Sequence, residues 1–350
     1  MKLLFSLLFL GLTGWLAAED IRPVIDQLTP AEVKSTWEKL NSLISKSGGI
    51  DPAELERARL QGVLQKLGRN ARLTAREGSG EIAIGVNFKE EILPRSILYA
   101  RLGDLSEDNI SQLADSLRKA PKTPATILDL RATRGSAGYE QAAQAIGLFT
   151  GGGKSLFSLV GSGSNTGKNF AGQGEALFNG ILVVLVNEDT NGPAEVVAAA
   201  LRQQAHALIV GKKTKGEALE FTSLLVNDRV NLEIAVGRIV LPGLPGDFLQ
   251  NGVAPDLAVS ADLNEEREIL TRSEKEGIAS FIFEIERPHM NEASLVAGRN
   301  PELDNYQARK AEKAGRQPSD PTPLLDRTLQ RALDTATSLL ILREPGRTDS

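Results

Sequence analysis

The sequence predicts an α/β fold: a parallel sheet with crossover helices, preceded by a helical segment and closed by a C-terminal amphipathic helix. Three observations carry this. Short apolar runs at 125–130, 181–186 and 207–210 have the unbroken hydrophobicity of strands covered on both faces. Segments of helical periodicity follow the first two of these runs, as crossover helices do. Residues 323–343 repeat Leu325, Leu329, Leu333, Ala336 and Leu340 at helical spacing.

Taken in order, the chain opens with Lys2, an apolar stretch over 3–12, and Trp15, Leu16, Ala17 and Ala18 ahead of Glu19 and Asp20. This reads as a secretory signal peptide over 1–18, cleaved after Ala18. The competing reading, an uncleaved anchor, needs a span of about 20 apolar residues, longer than this stretch. The mature protein is therefore expected to be exported, to a periplasm or outside the cell, with no membrane span after cleavage. Residues 19–76 read as helical. Thr29, Pro30 and Glu32 form a helix-start signature, and Val33, Trp37, Leu40, Leu43 and Ile44 follow at helical spacing. Trp37 and Leu40 are expected to pack on the core. Gly48 and Gly49 break this helix, and Asp51 with Pro52 starts the next.

The α/β domain is assigned to 80–287. Ile82, Ile84 and Val86 alternate, as do Ile97, Tyr99 and Arg101, which predicts strands. Ile110, Leu113, Ala114 and Leu117 mark an amphipathic helix. The run at 125–130 leads to a helix over 139–149, and the run at 181–186 to a helix over 193–204. Strands 127–130, 181–186 and 207–210 are expected to be adjacent and central. Asn227, Asp228 and Arg229 read as a hairpin turn. Residues 288–322 are polar and dotted with proline, an irregular surface segment, and Thr322 with Pro323 is expected to cap the C-terminal helix at 323–343.

Composition removes many functions. Hydrophobic residues make up 41% and charged residues 24%, the proportions of a globular chain. The net charge of -5 leaves no basic footprint for nucleic acid. With no cysteine there is no disulfide, no Cys-ligated zinc and no thiol nucleophile; the two histidines, His206 and His289, are too far apart to suggest a metal cage. No metal and no cofactor is expected. Gly151 to Ser155 and Gly163 to Lys168 approach a phosphate-binding loop, but Leu148 and Ser162 stand where its first glycine is required. Both read as surface loops.

Several blocks, in order, resemble the C-terminal-processing (tail-specific) serine peptidases. Ile127, Leu128, Asp129, Leu130 and Arg131 are similar to that family's Leu-Asp-Leu-Arg-Asn-Asn-Pro-Gly-Gly. Val184, Leu185, Val186 and Asn187, then Glu195 and an Ala-rich helix, resemble Val-Leu-Val-Asn followed by Ser-Ala-Ser-Glu. Gly211, Thr214 and Gly216 resemble Val-Gly-Glu-Arg-Thr-x-Gly-Lys, and Gly252, Pro255 and Asp256 the closing Gly-Ile-x-Pro-Asp. Coverage runs from about Ser96 to Val259. The resemblance implies a crotonase/Clp-protease-like core, and it leaves no room for the family's peptide-binding PDZ domain between Gly68 and the first block.

The family's chemistry uses a Ser hydroxyl as nucleophile, a neutral Lys as its base and backbone N–H groups facing the oxyanion. Anchored on Glu195, the nucleophile position falls at Gly192. Anchored on Gly211 and Gly216, the base position falls at Glu217. In the oxyanion-side loop Gly135 matches one glycine, while Arg134 and Ser136 replace its Pro and second Gly. The resemblance implies the fold and contradicts the activity. The expected function is a pseudopeptidase that binds a polypeptide or an envelope protein partner without cleaving it. The alternative is an active peptidase using a displaced dyad, Thr190 and Lys215, whose separation equals that of Gly192 and Glu217. A third reading makes the C-terminal helix an oligomerisation element, because its apolar stripe must be covered.

Overall fold

The computed structural model describes residues 26–47, 51–75, 87–133, 138–161, 167–283 and 324–343. The expected signal peptide, the strand at Ile82 to Val86, Gly135 and Ser136, His289, the segment 288–322 and the Thr322–Pro323 cap lie outside these residues. The chain divides into two compact units, Met1–Gly68 and Arg69–Ser350.

In the first unit α1 (Pro30–Ser47) starts as its sequence requires. The Thr29 N–H donates to Glu32 Oε2 at 2.8 Å and the Glu32 N–H to Thr29 Oγ1 at 3.4 Å, a reciprocal cap. Helix α2 (Pro52–Leu67) is capped by Asp51, which accepts from the Ala53 N–H at 3.0 Å. Trp37 is half-buried, with the Arg59 guanidinium 5.1 Å from its ring centroid. Leu40 departs from expectation: it is 41% exposed, and Leu43, Leu60 and Val63 are exposed too. Periodicity marks a face that could be buried; whether anything covers it is not written in the period.

The second unit holds two sheets. The six-stranded sheet has the order β11-β8-β7-β4-β3-β2. β3 (Ile97–Arg101), β4 (Ala125–Asp129), β7 (Ile181–Val186), β8 (Leu208–Gly211) and β11 (Leu257–Ala258) run parallel, and β2 (Lys89–Leu93) is an antiparallel edge. The three predicted strands are thus neighbours, with Ile127 opposite Val183 and Val184 opposite Ile209. The continuous apolar run of β7 follows from period two. Leu182, Val184 and Val186 join the core made with α3 (Glu107–Lys119), α4 (Tyr139–Thr150) and α5 (Pro193–Gln204). Ile181, Val183 and Leu185 join the opposite core, made with α6 (Leu263–Glu276) and α7 (Arg327–Arg343). Each such fully buried side chain contributes about 1.5–3 kcal/mol.

That second core covers the C-terminal helix. Helix α7 begins at Arg327, with Asp326 accepting from the Leu329 N–H at 2.8 Å. Its stripe of Leu329, Ala332, Leu333 and Ala336 is buried against the sheet of its own chain, which removes the reason for reading it as an oligomerisation element.

The other sheet is antiparallel. It follows the path β1-β10-β5-β6, with β9 also on β10: β1 (Ala71–Ala75), β5 (Ser155–Gly161), β6 (Lys168–Ala171), β9 (Leu219–Asn227) and β10 (Val230–Val240). The expected hairpin is present; Asn227 Oδ1 accepts from the N–H groups of Arg229 and Val230 at 2.9 and 3.0 Å. Strand β1 ends the helical reading at Asn70 rather than 76, because Ala71 to Ala75 pair with a strand over 150 residues away, Ala71 lying opposite Ile234.

Candidate functional site

At the C-terminal end of β7 the apolar run gives way to a polar turn, Asn187 to Gly192, that enters α5. The turn is held from three sides. Thr190 Oγ1 accepts from the Asn187 N–H at 3.1 Å and donates to the Leu130 carbonyl at 3.0 Å. Asn187 Nδ2 donates to Glu266 Oε2 of α6 at 2.9 Å. Gly192 caps α5 with φ 54° and ψ -124°, a conformation open to glycine and strained for any L residue, and Pro193 supplies the first helical position.

Glu195, one turn into α5, is fully buried and accepts four hydrogen bonds. The Gly192 N–H reaches its Oε2 at 3.0 Å, and the Glu217 N–H the same oxygen at 2.7 Å. The Gly216 N–H and the Thr214 hydroxyl donate to Oε1. Thr214 Oγ1 in turn accepts from the Val253 N–H at 2.8 Å. Glu195 therefore stitches the α5 entry to the segment after β8. Burial pushes its carboxyl pKa up, against the four donors, which favour the ionised form. Gly216 is required there: at φ +81° a Cβ would lie 2.7 Å from the Gln250 carbonyl oxygen.

This stitch brings two of the sequence-predicted positions together. A Cβ built on Gly192 would meet nothing closer than the Glu217 carbonyl oxygen at 3.8 Å. The Glu217 carboxylate is itself engaged, with Arg72 Nη1 at 2.8 Å and Lys215 Nζ at 3.1 Å. Arg72 also pairs with Glu233 at 2.7 Å and stands 4.3 Å over the Phe221 ring.

The other predicted pair, Thr190 and Lys215, meets only through backbone, Lys215 N–H to Thr190 carbonyl at 3.2 Å. The buried Thr190 hydroxyl spends its one proton on Leu130. The half-exposed Lys215 ammonium is neutralised by Glu217, not poised beside a hydroxyl. Among the described residues no hydrogen bond joins the Thr190 hydroxyl to the Lys215 ammonium. Gly135 and Ser136 lie outside the described residues. Beside them Thr133 Oγ1 donates to the Leu102 carbonyl at 2.6 Å, and Tyr139, its phenol kept protonated by burial, donates to the Leu219 carbonyl at 2.9 Å.

Sequence reasoning missed the buried charge cluster behind this turn. Arg131 is fully buried and pairs with Asp129 at 2.6 Å, Asp326 at 2.7 Å and Glu266 at 3.2 Å. Burial alone would raise the Asp129 pKa; Arg131 and the Tyr99 hydroxyl outweigh it and hold that carboxyl below its ordinary value. Asp129 and Arg131 were visible as a pair in the motif. Glu266 and Asp326 stand 135 and 195 residues from Arg131, with no local pattern to announce them.

The parallel strands with helices on both faces form the α/β core that the sequence predicts. Residues 96–259, just under half of the chain, match the model of peptidase family S41. The chain is 30% identical over 171 residues to a carboxyl-terminal-processing protease of Synechocystis sp., covering 48% of this chain and 39% of that protein. It is 29% identical over 170 residues to the protein of the same name in Picosynechococcus sp., covering 46% and 38%. The chain thus spans well under half the length of these relatives. Among solved structures, a putative peptidase from Parabacteroides merdae superposes with a TM-score of 0.48 at 11% identity, covering 79% of this chain and 88% of that one. The photosystem II D1 C-terminal processing protease superposes with a TM-score of 0.41 at 20% identity, covering 60% and 53%. Among the described residues no helix is long and apolar enough to cross a membrane.

Proposed function

We propose that this protein is an exported, non-catalytic member of the family, which holds a polypeptide or a partner protein without cleaving it. The reading rests on one observation. Where Gly192 and Glu217 adjoin, one has no side chain and the other presents a carboxylate held by two cations. Those are the positions at which the family resemblance expects the Ser nucleophile and the Lys base. Glycine offers no nucleophile, and a carboxylate there would oppose the negative charge that develops on a tetrahedral intermediate. Losing a nucleophile leaves roughly 10³–10⁴-fold enhancement over water, too little to register on a protein substrate.

The test is cleavage of a casein-like substrate by the purified chain, beside Thr190→Ala and Lys215→Ala. No cleavage by the wild type is expected, together with saturable binding of the same unfolded substrate. Cleavage by the wild type that both single variants lose would overturn the proposal in favour of the displaced dyad. The double variant Gly192→Ser with Glu217→Lys asks whether the frame still supports the reaction. Its new amine would sit near Arg72 and Lys215, and like charge depresses an amine pKa toward the neutral form that a base requires.

A further inference from the structure

At the other end of the parallel sheet, about 20 Å from Gly192 along β7, a surface cavity of about 580 Å³ opens among the turns that enter β3, β4 and β7. Its charge is one-sided. Arg95 precedes β3, Lys122 precedes β4 and Arg343 ends α7, while no carboxylate among the described residues lines the space. None of the three has an ion-pair or hydrogen-bond partner among the described residues.

The walls between the cations are apolar and preformed. Phe178, Pro124 and Leu340 are half-buried, and Phe178 is held edge-on by Phe149 at 6.1 Å between centroids. Gly180 packs so closely that a Cβ on it would lie 2.6 Å from both the Phe178 ring and the Pro124 carbonyl oxygen. Arg95 and Ser96 both take left-handed backbone, at φ 61° and 58°. L residues pay for that conformation, and it persists only where the surroundings impose it. The volume lies within the range of small-molecule sites, and their usual chemistry is an apolar wall with a few convergent polar groups.

We propose that this cavity binds a small organic anion: a phosphomonoester-like dianion met by Arg95, Lys122 and Arg343, carried on an apolar body that lies against Phe178, Pro124 and Leu340. Three positive charges match a doubly charged head better than a single carboxylate, and guanidinium groups suit its oxygens. The head could belong to a soluble ester or to a lipid. The site is separate from the Gly192 turn, so its fate and that of the non-catalytic reading are independent.

Titration calorimetry of the purified chain at low salt tests it, with phenyl phosphate, inorganic phosphate and benzyl alcohol as probes and phosphatidic acid vesicles as a further arm. Saturable binding of phenyl phosphate is expected, roughly tenfold tighter than inorganic phosphate, with no heat from benzyl alcohol and weakening as salt rises. Lys122→Gln and Arg343→Gln, both at exposed positions, should each weaken it roughly tenfold, and Lys154→Gln should not. Vesicle binding lost in the same variants assigns the head to a lipid; phenyl phosphate binding without it assigns a soluble ester. The proposal is overturned if phenyl phosphate shows no saturation, if inorganic phosphate binds equally well, or if Lys122→Gln and Arg343→Gln bind like the wild type.

Discussion

Two buried carboxylates lie on either side of the turn that leads to Gly192, and they are held by different means. Glu195 is satisfied by three backbone N–H groups and one hydroxyl, dipoles without formal charge. Asp129 is satisfied chiefly by the Arg131 guanidinium, which also serves Asp326 and Glu266. The difference appears in the direction of the two acidities: burial wins at Glu195 and raises its pKa, while the guanidinium outweighs burial at Asp129 and lowers it. Neutral donors tie local segments into one shape. A shared cation ties together elements distant in sequence, here β4, α6 and the start of α7.

The largest effect should come from removing the shared cation. Arg131→Met leaves three carboxylates with at most polar neutral neighbours, and breaking a buried pair costs about 3–5 kcal/mol. Urea unfolding should show at least that loss or no folded protein; a midpoint near wild type would mean water already reaches the cluster. Next in size is Glu195→Gln. The amide keeps the shape but turns one donor toward donors, which costs roughly 1–3 kcal/mol for the group left unsatisfied. A change within a few tenths would show that the stitch is not what holds the α5 entry.

The pH dependence of stability separates the two carboxylates by sign. Asp129, lowered, stabilises the fold above the unfolded carboxyl pKa near 4, and that stability is lost as pH falls through its lowered value. The gap between wild type and Asp129→Asn should therefore close on acidification. Glu195, raised, contributes stability that is complete below about pH 4.3 and is lost as pH rises through its raised value. The gap between wild type and Glu195→Gln should narrow in the opposite direction. Parallel pH profiles for the two variants would contradict the comparison.

An effect of the same order as that of Glu195→Gln belongs to Gly192→Ala. The site has room for a Cβ, so the cost is backbone alone, about 1–3 kcal/mol for an L residue held at this φ and ψ. A penalty well above that range would show that the turn has less space than its geometry indicates.

Much of this architecture is written locally. The strand register across β4, β7 and β8 follows from apolar runs whose alternate residues feed two cores, and the α1 cap follows from Thr29 and Glu32 alone. The order of motifs was enough to single out Gly192 and Glu217, whose adjacency depends on Glu195, a residue of the same motif. Strand β1 was misread as helix because its reason for being extended is β10, far along the chain. The stripe of α7 was legible, but its cover was not. A helix period records which side chains want burial, and the sheet that supplies it is assembled from residues 125–211. Likewise the equal spacing of Thr190 and Lys215 suggested a dyad, and only the fold decided that the hydroxyl proton goes to Leu130 and the ammonium to Glu217. By itself the sequence determined the elements and their order, because propensity and period act over a few residues. The partners of buried charge, Glu266 and Asp326 on Arg131, were decided by tertiary structure, because a charge out of water takes whatever counter-charge the folded chain brings within reach.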